Sequence, residues 1–231
     1  MKLLKFGNGE NNAKLKKIQD WNKSEFKSLT LTFMLPSGKT CPSATTCKTY
    51  FSRRLNKIVT LGEITCYSAS MERYPNIRKL TDYNQSLLKP IYTDTDAMTK
   101  LIYNSVTQNP YGKPTYVRVH VGGDFATPQY MRAWFNVATK LKDVTFYSYT
   151  KEIKTLKDNI RLKPDNYIFT LSRGGKHDNL IDDLNIKSAI VVESEDSTEL
   201  PIDTNEFLAL NSNEDFALVK HGMQLKSWSF I

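Results

Sequence analysis

Three cysteines, Cys41, Cys47 and Cys66, have the residue type and spacing best suited to chemistry in this 231-residue chain. Five residues separate the first pair and eighteen the second, so three thiolates can surround one centre once the intervening segment folds back. Sulfur donates strongly to soft metals, which points to zinc or an iron–sulfur cluster. With His120 as a fourth ligand the set would form a Cys3His zinc site. Without it, the sulfurs would hold three irons of a 4Fe-4S cluster and leave the fourth iron open. Ordinary buried thiols are the competing reading, because free cysteine favours interiors, and His120 in an apolar strand suits a structural role. An odd count confined to the first third of the chain speaks against a disulfide scaffold.

Strands must deliver these groups to one place. Residues 28–35 alternate in character and stop at Pro36-Ser37-Gly38, a strand whose exit leads directly into the first cysteine pair. The basic, then apolar stretch at 53–64 reads as a small hairpin inserted in a loop. Pro75 marks a helix start or break within 70–88, and a clearer helix covers 95–106. Tyr116-Val117-Arg118-Val119-His120-Val121 reads as a strand, Gly122-Gly123-Asp124 as its tight exit, and Thr127-Pro128 as the cap and first turn of a helix. Met131, Trp134, Phe135, Ala138 and Leu141 give that helix a buried face rather than a cofactor site. A strand at 144–149 completes a βαβ unit. Short helices at 153–160 and 179–184 alternate with strands at 167–171 and 189–192, while 207–210 and 216–219 suit a short strand or local packing elements.

This alternation predicts an α/β fold, a partial parallel (β/α) barrel of about six strands. The expected organisation is an exposed lead-in at 1–27 anchored by Trp21 and Phe26, a single α/β domain at 28–224 with an inserted loop near 48–65, and a tail at 225–231. In such folds the loops beyond the strand carboxyl ends converge on the ligand crevice. Gly122, Gly123 and Asp124 would offer backbone groups there. Ser148, Tyr149, Thr150 and Lys151, then Ser172, Arg173, Gly174, Gly175 and Lys176, and finally Glu193, could surround a carboxylate, phosphate or ribose, or simply form exposed loops. Lys151 and Arg173 suit electrostatic binding, and Tyr149 suits core packing beside Tyr147 or a proton-transfer role.

Charge and composition narrow the partners only slightly. Thirty-two Lys and Arg against 24 Asp and Glu give a net charge of +8, which permits phosphate-rich partners without demanding them. Arg53, Arg54, Lys57, Arg73, Arg78 and Lys79, with Tyr50 and Tyr74 for stacking, could face nucleic acid, although scattered solvation explains them as well. There is no Walker A loop, complete dinucleotide fingerprint, His-Glu-x-x-His site or calcium loop. No run approaches the roughly 18 apolar residues of a membrane span, and Met1-Lys2-Leu3-Leu4-Lys5 soon turns polar, so a soluble cytoplasmic protein is expected.

Four segments taken together, in this order, resemble a known family: Cys41-Pro42-Ser43-Ala44-Thr45-Thr46-Cys47; Cys66-Tyr67-Ser68-Ala69; Arg118-Val119-His120-Val121-Gly122-Gly123-Asp124-Phe125; and Phe216-Ala217-Leu218-Val219-Lys220-His221-Gly222-Met223-Gln224. They are similar to the phage family called gene product 88, over most of residues 28–224. That family looks like a compact relative of radical S-adenosylmethionine proteins, in which three cysteines hold a 4Fe-4S cluster and a Gly-Gly-Glu-like strand end meets the methionine moiety of the cofactor. The resemblance implies Cys41, Cys47 and Cys66 as cluster ligands and Gly122, Gly123 and Asp124 in the S-adenosylmethionine loop. It also implies a phage protein working in an infected bacterial host, on an unknown nucleotide or nucleic-acid-related substrate. The compact Cys-x3-Cys-x2-Cys motif of radical enzymes is absent, since the gaps here are five and eighteen. A noncatalytic nucleic-acid-binding or host-interaction protein with a structural metal site is the main alternative. A phosphate-ester enzyme is a third reading, opposed by the lack of a carboxylate-metal constellation.

Overall fold

The computed structural model describes residues 2–10, 13–26 and 29–220. The expected tail at 225–231, and His221-Gly222-Met223-Gln224, lie outside the described residues. In chain order the elements are α1 (Ala13–Phe26), β1 (Leu29–Met34), β2 (Thr49–Ser52), β3 (Lys57–Thr60), α2 (Tyr67–Met71), α3 (Pro75–Leu88) and α4 (Thr95–Thr107). They continue through β4 (Pro114–Gly122), α5 (Pro128–Lys140), β5 (Thr145–Thr150), α6 (Ile153–Asn159), β6 (Tyr167–Ser172), β7 (Ser188–Val192), α7 (Phe207–Asn211) and β8 (Phe216–Val219).

Six strands lie side by side in the order β1-β4-β5-β6-β7-β8, and every neighbouring pair is parallel. The order never doubles back, as in the wall of a barrel. Among the described residues β8 does not pair with β1, so the six parallel strands expected of an α/β fold form an open sheet. β2 and β3 form a separate antiparallel hairpin, Thr49 opposite Thr60, inside the stretch expected as an insertion.

Strand alternation gives the sheet two buried faces. On one, Val117, Phe146, Phe169 and Leu171 pack under Met98 and Ile102 of α4, Met131, Trp134 and Phe135 of α5, and Leu156 of α6. Local chemistry starts these helices as expected. Thr127 Oγ1 accepts from Tyr130 N at 3.1 Å with Pro128 in the first turn, Asp94 caps α4 through Ala97 N, and Pro75 opens α3. On the other face Tyr147 meets Ile18 of α1 and Leu210 of α7, with Tyr116, Ile168 and Phe207 around them.

Part of the segment expected as an exposed lead-in is therefore structural. Leu4 and Phe6 join the main core, Ile18 seals the opposite face, and Gly7 bridges to Thr32 of β1. Two further expectations differ in detail. Residues 207–210 lie in a short helix, and 178–184 form two 3-10 turns, Asp178–Leu180 and Asp182–Leu184, rather than one helix.

One irregularity shapes the site. Thr32 pairs with Arg118 and Met34 with Gly122, so two steps along β1 match four along β4, a bulge that places His120 at a φ of 60°. The bulge frees the carbonyls of Val119 and His120, and Arg118 Nη1 donates to both, at 2.9 and 3.1 Å. Arg118 Nε meanwhile pairs with the buried Glu206 carboxylate at 3.1 Å, to which the Tyr147 hydroxyl also donates at 2.9 Å. We predict that Arg118→Met, by stranding the Glu206 charge, loses about 3–5 kcal/mol in denaturant unfolding. Arg118→Met combined with Glu206→Leu should lose clearly less, and equal losses would show that the pair is not coupled.

Candidate functional site

The first cysteine segment starts where β1 ends. Leu35 N donates to Gly122 O at 2.8 Å, Ser37 N to the buried Glu72 carboxylate at 2.6 Å, and Ser37 Oγ to Ser68 Oγ at 3.1 Å. From Cys41 the chain crosses the strand ends toward β6. Glu152, just after β5, grips Ser43 with both oxygens, accepting from its amide at 2.7 Å and its hydroxyl at 2.9 Å. Beyond it, the amides of Thr45 and Thr46 and the Thr45 hydroxyl all donate to Gly174 O, and Lys176 N donates to Ser43 O. The loop is thus tied to the exits of β1, β5 and β6.

The eighteen-residue gap before Cys66 closes on itself. Leu61 N donates to Lys48 O at 2.7 Å, Ile64 N to Thr46 O at 3.0 Å, and Cys66 N to Thr49 Oγ1 at 3.0 Å, so Cys47 and Cys66 flank the base of the β2–β3 hairpin. The Cys66 thiol hydrogen-bonds the Cys47 sulfur, which lowers the Cys47 pKa, with Lys151 helping, and raises that of Cys66. Burial, then the Asp124 carboxylate, push the Cys41 thiol up.

All three cysteines line one cavity of about 670 Å³, together with Gly122, Gly123, Asp124 and Lys151. They open on shared space rather than converge on a point: among the described residues no group of three or more His, Cys, Asp or Glu side chains is set to hold a metal ion. The His120 ring does not turn toward them. It is buried edge-on against Phe125 at 4.5 Å and bonded through Nε2 to the Tyr130 hydroxyl at 3.1 Å, while burial, then Arg118, hold its pKa down to about 3. The Cys3His arrangement is therefore corrected to three thiols without this histidine.

Gly122 and Gly123 are required by packing. A Cβ on Gly122 would overlap Ser68 Oγ, and one on Gly123, whose φ is +84°, would sit 2.6 Å from Thr40 Oγ1 and 2.7 Å from Leu35 Cβ. The same turn leaves the amides of Gly123 and Asp124 without an acceptor among the described residues. Asp124 is buried, accepting from Phe125 N, the Thr150 hydroxyl and Lys151 N at 2.7–2.9 Å, and burial, then Glu152, raise its pKa to about 7.

Lys151 Nζ, also buried, is bonded to Ser172 Oγ at 2.8 Å and to the carbonyls of Ser172 and Arg173. Ser148 lies elsewhere: its hydroxyl faces Tyr167 on the helix-covered side of the sheet. The amides of Gly174 and Gly175 are occupied by Asp178, at 2.7 and 2.9 Å, so this glycine pair is a capped turn rather than an anion cradle. In the basic group, Arg53 pairs with Asp82, and Arg78 stacks on Phe51 and binds the carbonyls of Glu72 and Arg73. Glu152 and Glu72, which hold the cysteine loop, carry no motif; their only sequence signal is an acid beside a strand end or a short helix.

An open parallel α/β sheet bearing a cysteine-lined cavity at the carboxyl ends of its strands defines the class. Residues 2–227 match the family described as Gene product 88, and the chain belongs to that family. It is similar to the "Gene 88 protein" of Mycobacterium phage D29, with 30% identity over 126 residues, covering 51% of this chain and 45% of the relative's length. No solved structure matches the chain. Among the described residues no helix is long and apolar enough to cross a membrane.

Because Ser68 leaves no room beside Gly122, Gly122→Ala should lower the melting temperature, and adding Ser68→Ala should restore part of the loss. A Gly122→Ala protein as stable as the parent would contradict the close approach.

Proposed function

We propose that the cavity holds a 4Fe-4S cluster on Cys41, Cys47 and Cys66 with S-adenosylmethionine beside it at Gly122-Gly123-Asp124, and that the protein performs radical chemistry on a substrate entering the same cavity. The observation that carries this reading is that three thiols from two separate segments line the same cavity as the β4 exit, where two backbone amides have no acceptor among the described residues. The donor set fits the group: three soft ligands without a histidine suit a cluster that keeps one iron open better than they suit a four-coordinate structural zinc. When bound, this pair of cofactors supplies an electron and a cleavable sulfonium, the source of a carbon radical.

The chain's own residues position and enclose. Glu152 and Glu72 fix the loop carrying Cys41 and Cys47 through Ser43 and Ser37, and the hairpin base brings Cys66 to Cys47. Asp124, its oxygens filled by three donors, locks the turn so that the Gly123 and Asp124 amides stay available. Lys151 brings positive charge against the Cys47 thiol, favouring its thiolate form, the form that ligation needs.

Anaerobic reconstitution should yield a brown protein with about four irons and four sulfides per chain, lost on replacing any of the three cysteines by Ala. After chemical reduction it should cleave S-adenosylmethionine. One tightly held zinc, or no metal at all, would replace this reading with a noncatalytic binding or host-interaction role. Iron without cleavage would keep the cluster and remove the radical step.

A further inference from the structure

The floor of the cavity carries a cation built into the sheet. Arg118 is only 6% exposed, yet it lines the cavity. Its Nε is committed to Glu206 and its Nη1 to the carbonyls of Val119 and His120. Nη2 has no acceptor among the described residues. The guanidinium also lies 4.6 Å from the Tyr149 ring centroid and 5.4 Å from that of Tyr147. Fixed on these sides, it can present two N–H donors without losing side-chain freedom when a ligand arrives.

Beyond Arg118, Tyr149 of β5 leads to Lys151 just past that strand's end, whose three acceptors, Ser172 O, Ser172 Oγ and Arg173 O, are all uncharged. Its charge is therefore not neutralised by a bonded carboxylate. Asp124, the buried acid on the cavity wall, has its oxygens occupied by donors, and Ile190 and Leu218 supply apolar wall.

We propose that Arg118 Nη2 anchors the carboxylate of an organic acid whose hydrocarbon part lies along Tyr149, Ile190 and Leu218. A monoanion suits the place better than a phosphate dianion, because Glu206 sits on the far side of the same guanidinium and a second negative charge would be repelled by it. This narrows the substrate from the nucleotide class implied by the resemblance to a carboxylic acid. It rests on the cluster reading only in taking that acid as substrate; the anchor itself requires no metal.

The test is ligand-observed NMR on metal-free and on reconstituted protein, with 3-phenylpropanoate, its amide and thymidine monophosphate as probes. The acid should bind both forms, at least about tenfold tighter than the amide, and its methylenes should show transferred NOEs to the Tyr149 ring. Arg118→Lys should lose that preference while melting cooperatively. Arg118→Met with Glu206→Leu, which leaves no unpaired charge, should lose it too. Equal binding of acid and amide, no binding of the acid, or an unchanged preference in the folded variants would overturn the anchor. Tighter, Arg118-dependent binding of the nucleotide would overturn the carboxylate assignment. Acid binding in a protein that takes up no iron would leave the anchor standing and remove the cluster.

Discussion

The site depends on a contact with no space to spare at the end of β4. Ser68, two residues into the turn of helix that follows Cys66, lies where a side chain on Gly122 would begin, and Leu35 and Thr40, on the approach to Cys41, press equally close on Gly123. The cysteine-bearing segments and the glycine turn are therefore one packing unit. Protein interiors tolerate little free volume, so moving one segment moves the others. The hydrogen bond between Ser37 and Ser68 and the grip of Glu72 on Ser37 reinforce the same junction.

Beneath this junction the bulge in β4 sets the direction of the turn. Two extra residues rotate the strand exit and expose carbonyls that would otherwise go unsatisfied in a buried sheet. Arg118 answers those carbonyls and is itself neutralised by Glu206, at the left-handed residue that precedes α7. One buried side chain thus links the bulge below the glycine turn to α7 on the opposite layer.

Local signals in the sequence were readable wherever a single residue type dictates backbone geometry. Thr127-Pro128 begins α5, Pro75 begins α3, and the alternation after residue 28 marks β1. That the cysteines line one cavity with the glycine turn followed from topology, because loops after parallel strands share one edge. What could not be read depends on distant partners. α1 is Lys-rich and weakly amphipathic, so its role becomes visible only once Ile18 meets Tyr147. Ser148 belonged to the right strand but the wrong face, since both faces are buried and strand parity alone does not say which one opens on the cavity. Glu152 lies 109 residues from Ser43, and nothing local to either residue announces their bond. His120 shows the reverse difficulty: a ligand-type residue near the glycine turn whose ring the bulge directs among Phe33, Phe125 and Tyr130.

We propose that this packing unit holds three thiolates around a polynuclear iron centre. Iron X-ray absorption on the anaerobically reconstituted protein tests it most directly, because it reports the atoms around the metal without requiring turnover. The expected result is a sulfur shell accompanied by iron–iron scattering, with both signals diminished when Cys41, Cys47 or Cys66 is replaced. Iron surrounded only by oxygen and nitrogen, without an iron neighbour and indifferent to those cysteines, would contradict it.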